Sequence, residues 1–177
     1  MTSQSVVFGR ESFFGIGPDM VYVGDGSAYE VRGYDRSGRL RRIIRVTEPN
    51  RPVTRAMIAE LYADAASAAG RPPAAVPAAT DPNALPASPN LPAYGALRVD
   101  AASRLWVKDY PAPRDTAARW VVFDPEGRRM GAVMTSMSFQ PVHIDRDTIA
   151  GVWRDELGVE SVRVYRVRLA GTPPPSY

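Results

Sequence analysis

The chain has 177 residues, enough for one globular unit with a real core at the usual domain size of roughly 150 residues and too few for several. Hydrophobic residues make up 45% and charged residues 23%, and no apolar run approaches the roughly 18 residues of a membrane-spanning helix, so a transmembrane helix is excluded. Zero cysteines exclude a disulfide scaffold, a thiolate metal site and a cysteine nucleophile, a single histidine excludes a multi-histidine metal centre, and a net charge of +3 is too slight to name a partner.

Residues Met1 to Glu11 lack the charged start and apolar stretch of a secretory signal, so the chain is expected to stay where it is made. Met20-Val21-Tyr22-Val23 is the first apolar run, followed by Glu30 to Asp35 and Arg39 to Ile44. Asp35-Arg36-Ser37-Gly38 between the last two has Asp first and Gly fourth, the signature of a type I turn joining antiparallel strands. Arg39, Arg41, Arg42 and Arg45 form the densest basic cluster, but Leu40, Ile43 and Ile44 interrupt it. Phosphate recognition wants a continuous basic face, so no nucleic-acid partner is expected.

One helix follows. Thr54 can cap it, Met57, Ile58, Leu61, Tyr62 and Ala65 form one apolar face, and Gly70 before Arg71-Pro72 ends it after about four turns. Its far side is alanine-rich without basic residues, which predicts packing on its own domain rather than on a membrane. From Arg71 to Pro92 seven prolines (Pro72, Pro73, Pro77, Pro82, Pro86, Pro89 and Pro92) predict an extended, mobile insert that is neither helix nor central strand.

Beyond the insert come Leu105-Trp106-Val107, Trp120-Val121-Val122-Phe123, a second turn at Asp124-Pro125-Glu126-Gly127, then Ile149 to Asp155 and Val162 to Val167. Apolar runs without clean alternation fit strands covered on both faces. Self-comparison aligns these runs into units: 21–25, 30–35 and 39–44 match 105–109, 120–124 and 128–133, with a partial third match at 149–155 and 162–167. Asp109 and Asp155 stand about 46 residues apart, within the roughly 40 to 50 residues of a β-propeller blade, and the spacing from Asp25 to Asp109 adds the helix and insert to such a period. The fold expected is all-β: a partial β-propeller of about three antiparallel blades with one inserted helix and a Pro-rich loop. Its parts are a first blade at 1–46, the insert at 47–92, a second blade at 93–135, a third, incomplete blade at 136–170 and a disordered tail at 171–177. The third unit ends without an outer strand of its own, for which Ser5-Val6-Val7-Phe8 is a candidate donor.

Pro92-Ala93-Tyr94-Gly95-Ala96-Leu97, Leu105 to Tyr110, Val122 to Arg128 and Gly151 to Leu157, in this order and spacing, resemble the C-terminal blades of bacterial six-bladed propellers of the NHL and TolB-like groups. The resemblance implies a longer, often exported parent with about six blades. On that view the chain is either a fragment lacking upstream blades or half of a homodimeric ring. It also implies a non-catalytic binding or interaction scaffold for a small molecule or protein, the alternative being a lactonase-type hydrolase whose catalytic residues lie in absent blades.

The residues weighed for chemistry are few. Asn50, Asn83 and Asn90 lie in or beside the insert, away from the axial position of a calcium lactonase site, so no metal or other cofactor is expected. Asp25, Asp109 and Asp155 recur at one repeat position, either as a ring of carboxylates or as loop caps. His143 stands on what reads as the innermost strand of the third unit, without a nucleophile motif. Propellers bind at the ends of the central channel, and that gives a candidate ligand mouth of Tyr94, Trp106, Asp109, His143, Trp153, Arg154 and Asp155, with interblade core as the other reading of the aromatics. No catalytic residue is assigned.

Overall fold

The computed structural model describes residues 6–68 and 86–168. Apart from one helix these residues are β-structure, in three successive antiparallel meanders. Sheet 1 contains β1 (Phe13–Ile16), β2 (Met20–Gly24), β3 (Glu30–Asp35) and β4 (Leu40–Arg45). Helix α1 (Arg55–Ala68) follows. Sheet 2 contains β5 (Tyr94–Val99), β6 (Leu105–Asp109), β7 (Ala117–Phe123) and β8 (Arg129–Ser136). Sheet 3 has three strands, β9 (Phe139–Ile144), β10 (Thr148–Arg154) and β11 (Glu160–Arg166). This is the expected all-β partial propeller, and the third unit has no fourth strand among the described residues.

One hairpin device recurs. Asp35, Asp100, Asp124 and Asp155 each open a turn in which the backbone N–H three residues later donates to the aspartate carbonyl. Each aspartate Oδ1 also accepts backbone N–H groups two and four residues on, at 2.8 to 3.1 Å. The fourth residue sits at positive φ: Gly38 at 77°, Gly127 at 86°, Gly158 at 80° and, without glycine, Ser103 at 60°. The side chain thus fixes the reversal that the backbone alone would leave loose.

The three sheets are stacked. Leu105, Val107, Val121 and Phe123 point from sheet 2 toward sheet 1, meeting Tyr22, Tyr29, Val31 and Ile44. Trp106, Trp120 and Val122 point the other way, onto Phe139, Ile144 and Ile149 of sheet 3. That two-sided burial is why β6 and β7 are apolar without alternation. The first strands lie side by side: a Cβ added to Gly15 of β1 would fall 3.2 Å from Leu97 of β5. Beside β5, the Ala101 N–H donates to the Ile144 carbonyl of β9 at 3.2 Å.

Helix α1 is capped as expected, with Met57 N–H donating to Thr54 Oγ1 at 3.3 Å. It packs on its own domain through Ile58, which meets Phe8 and Leu91, while Leu61 stays partly exposed. Two expectations are corrected here. The N-terminal segment does not complete sheet 3: Val7 forms a parallel bridge with Ala87 and Phe8 is buried beneath the helix, because its ring finds a closed apolar pocket there. The end of the Pro-rich insert is not loose either, since Leu91 is 1% exposed and its N–H donates to the Arg51 carbonyl. Gly70, the insert up to residue 85 and the tail at 171–177 lie outside the described residues.

Candidate binding cleft

The strand ends on one side of sheets 1 and 2 face the chain segments that flank the insert, and between them lies a cavity of about 390 Å³. Its walls are set by local interactions. Asp25 Oδ1 accepts from the Ser27 N–H at 3.0 Å and the Ser27 hydroxyl at 2.7 Å, which shapes the β2–β3 connection and delivers Tyr29 to the cavity. Those two bonds favour the carboxylate, so the Asp25 pKa is held below the usual range. Asn50 Nδ2 donates to the Ser27 carbonyl at 3.1 Å and pins the segment after β4 across that loop. Arg51 donates to the Tyr110 carbonyl and stands 3.6 Å from Asp115.

The floor is built by sheet 2. Lys108 pairs with Trp120 in the β6–β7 register, so Asp109 falls opposite Arg119 at the end of the ladder. Arg119 Nη1 donates to Asp109 Oδ2 at 2.7 Å in a partly buried ion pair, and this bond raises the arginine pKa further. Asp109 Oδ1 is buried with no hydrogen-bond partner. The Tyr29 hydroxyl is buried and unpartnered as well, on a side chain whose ring is held edge-on by Tyr94 at 5.7 Å. Burial, and then the negative charge of Asp109, push the Tyr29 pKa far upward, so its hydroxyl stays protonated and able to donate.

With Asp109 Oδ2 engaged by Arg119, and Arg51 by Tyr110 and Asp115, the exposed Glu48 carboxylate is the free charge of the lining among the described residues, while Asp109 Oδ1 and the Tyr29 hydroxyl lie unpartnered just beneath its surface. Pro49, Pro92, Pro111 and Met134 supply apolar wall between them. Such a lining suits a small molecule that carries hydrogen-bond donors on a partly apolar frame.

Of the residues that make up the candidate ligand mouth, only Asp109 lies in this cleft. Tyr94 is fully buried with its hydroxyl donating to the Glu30 carbonyl at 2.7 Å, and Trp106 is fully buried with Nε1 donating to Asp100 Oδ2 at 2.8 Å. His143 is exposed on β9 and borders a separate hollow with Ile16, Pro18 and Arg98. Trp153 is half-buried, with the Arg163 guanidinium 4.0 Å from its ring centre. Arg154 pairs with Glu160, and Asp155 heads the β10–β11 turn. Asp25 and Asp155 follow, and Asp109 ends, the second strand of its sheet, but their roles differ: two brace turns and one faces Arg119. Tyr29, Arg51 and Arg119 carry no motif in the sequence, and Asn50, weighed there only as a calcium ligand, serves instead as a brace of the cleft. A signal existed for Arg119, the one charge in the otherwise apolar run Ala117–Phe123.

Among the described residues no group of three or more His, Asp or Glu side chains could hold a metal ion, and no helix is long and apolar enough to cross a membrane. No protein-family model matches the chain, and no curated protein is detectably similar to it.

Proposed function

We propose that the chain is a non-catalytic binding scaffold of the propeller type, with the cleft between sheets 1 and 2 as its ligand seat. The observation that carries this reading is the pair of buried, unpartnered polar atoms, Tyr29 Oη and Asp109 Oδ1, on residues that line the cavity from sheet 1 and from sheet 2. Native chains leave few buried polar groups unpaired, because each costs about 1–3 kcal/mol, and a ligand toward which the two side chains turn, so that both atoms are hydrogen-bonded, removes that cost on binding. Donors are the complement of a carboxylate oxygen, so the ligand class is a small hydroxylated or amine-bearing molecule. The resemblance to six-bladed NHL and TolB-like propellers supports the same reading.

The test is to screen small polyols and amines by amide chemical shift, then to repeat the titration with Tyr29→Phe and Asp109→Asn. Saturable shifts at Tyr29, Asp109 and Arg119 are expected. Tyr29→Phe removes an unpaired hydroxyl, so it should leave the melting temperature level or higher while weakening the ligand about tenfold. Unchanged affinity in Tyr29→Phe, or shifts confined to another face, overturns the assignment.

A further inference from the structure

A second surface stands apart from the cleft. Sheets 1 and 2 each have four strands and sheet 3 has three, and among the described residues nothing pairs with the far edge of β11. The phase of its ladder is set at both ends, where Asp155 N–H donates to the Val159 carbonyl and Val167 N–H to the Asp147 carbonyl. The pairs between them, Trp153 with Ser161, Gly151 with Arg163 and Ile149 with Tyr165, therefore exchange bonds with β10. Glu160, Val162, Val164 and Arg166 must then turn their N–H and C=O groups to the open side. Strand β11 carries no proline, so every outward N–H of its edge is free to pair.

At the C-terminal end of β11 lies a groove of about 480 Å³ between β8 and sheet 3. Val133 forms its floor, and Phe139, Ile149, Tyr165 and Val167 its wall. In the chain direction the groove ends at Arg166 and Arg168, which have no ion-pair partner among the described residues, whereas Glu160 at the other end of β11 is held by Arg154. An open ladder, an apolar groove at its C-terminal end and two cations there without an ion-pair partner among the described residues specify an occupant with matching features.

We propose that β11 receives an extended segment of a partner protein, which adds antiparallel as the fourth strand of sheet 3. Alternate apolar side chains fill the groove, and carboxylates at the N-terminal end of the segment meet Arg166 and Arg168. Main-chain bonds supply the affinity and the two arginines set the register, as in other β-strand additions.

The experiment uses the full chain and an N-acetylated peptide, Asp-Asp-Val-Thr-Val-Thr-Val, with a Lys-Lys counterpart. Amide hydrogen exchange at Val162 and Val164 should be fast in the free chain and slowed by the acidic peptide, with the Lys-Lys peptide about tenfold weaker. Val164→Pro removes only an outward donor, so it should abolish binding while Ile149 and Gly151 keep their protection. Arg166→Glu with Arg168→Glu, which leaves the strand intact, should reverse the peptide preference. Slow exchange at Val162 and Val164 in the dilute free chain means that the chain covers its own edge, and slowing that follows chain concentration means that a second copy does; either overturns the proposal. So does peptide-induced protection at another strand, or none at all.

Discussion

Sheet 2 and β11 are built from similar residues and meet opposite fates. Leu105, Trp106, Val107 and Val122 in the middle sheet have no exposed surface, whereas every residue of β11 is exposed. The difference is one of neighbours: sheet 2 is covered on both faces, and the third strand of sheet 3 has one neighbouring strand and half a layer beneath it. Val162 and Val164, 79% and 65% exposed, show that β propensity alone places valines on a strand without burying them. Stability should therefore concentrate in the middle of the stack and interaction capacity at its last edge.

The largest effect that would break this contrast concerns two tryptophans at the same face-to-face contact. Trp106→Ala should cost about 3–5 kcal/mol, because it empties a closed site and removes one of the donors to the buried Asp100 carboxylate. Trp153 reads from sequence as an equivalent core residue, but it is half-buried beneath Arg163, so Trp153→Ala should cost only about 1–2 kcal/mol. Urea denaturation of both variants checks the pair, and equal losses would mean that sheet 3 is packed as tightly as sheet 2.

The Asp turns give a second contrast. Asp100 and Asp155 open hairpins of the same backbone design, but Asp100 is 2% exposed and also accepts from Trp106 Nε1 and Arg104 Nε. Asp100→Ala leaves those donors buried and unpaired, at about 2–4 kcal/mol, while Asp155→Ala should lose under about 1 kcal/mol from a solvated turn. Within the same set, Ser103 holds at φ 60° what glycine holds in the other three turns. Ser103→Gly should stabilise the chain by about 0.5–1 kcal/mol, visible as a raised thermal midpoint, since glycine bears a left-handed backbone without steric cost.

These turns also mark how far the sequence was legible. Glycine in fourth place makes Asp35 to Gly38 and Asp124 to Gly127 legible as hairpins, and the runs at 105–107 and 120–123 are covered on both faces as their apolar character predicts; Met20 to Val23 carries the same signal but is covered on one face only, with Val21 and Val23 37% and 38% exposed, because sheet 1 ends the stack. The turn at Asp100 escaped because serine replaces glycine, and β1 escaped because Phe13 to Ile16 is too short a run to show a period. The cleft was less legible still. Its residues come from five separated segments, and what distinguishes Tyr29 and Asp109 is the absence of a hydrogen-bond partner, which no spacing along the chain encodes.

The smallest effect separates an end sheet from the middle one by pH. In sheet 1 the Ser37 hydroxyl, the Arg41 side chain and the Arg39 N–H all donate to Asp35, and they hold its pKa well below the usual carboxylate range. A carboxyl depressed in the folded state contributes stability above its unfolded value of about 3.9, and loses it as pH falls through the folded value. Acidification from about pH 4 downward should therefore loosen the β3–β4 hairpin, read as faster amide exchange at Arg39 and Arg41, before it reaches β6 and β7. Asp35→Asn should flatten that dependence, and the exposure of the turn keeps the effect modest. If β6 and β7 exchange in step with β3 and β4, the three sheets open as a single cooperative unit, and the graded stack argued from their burial is wrong.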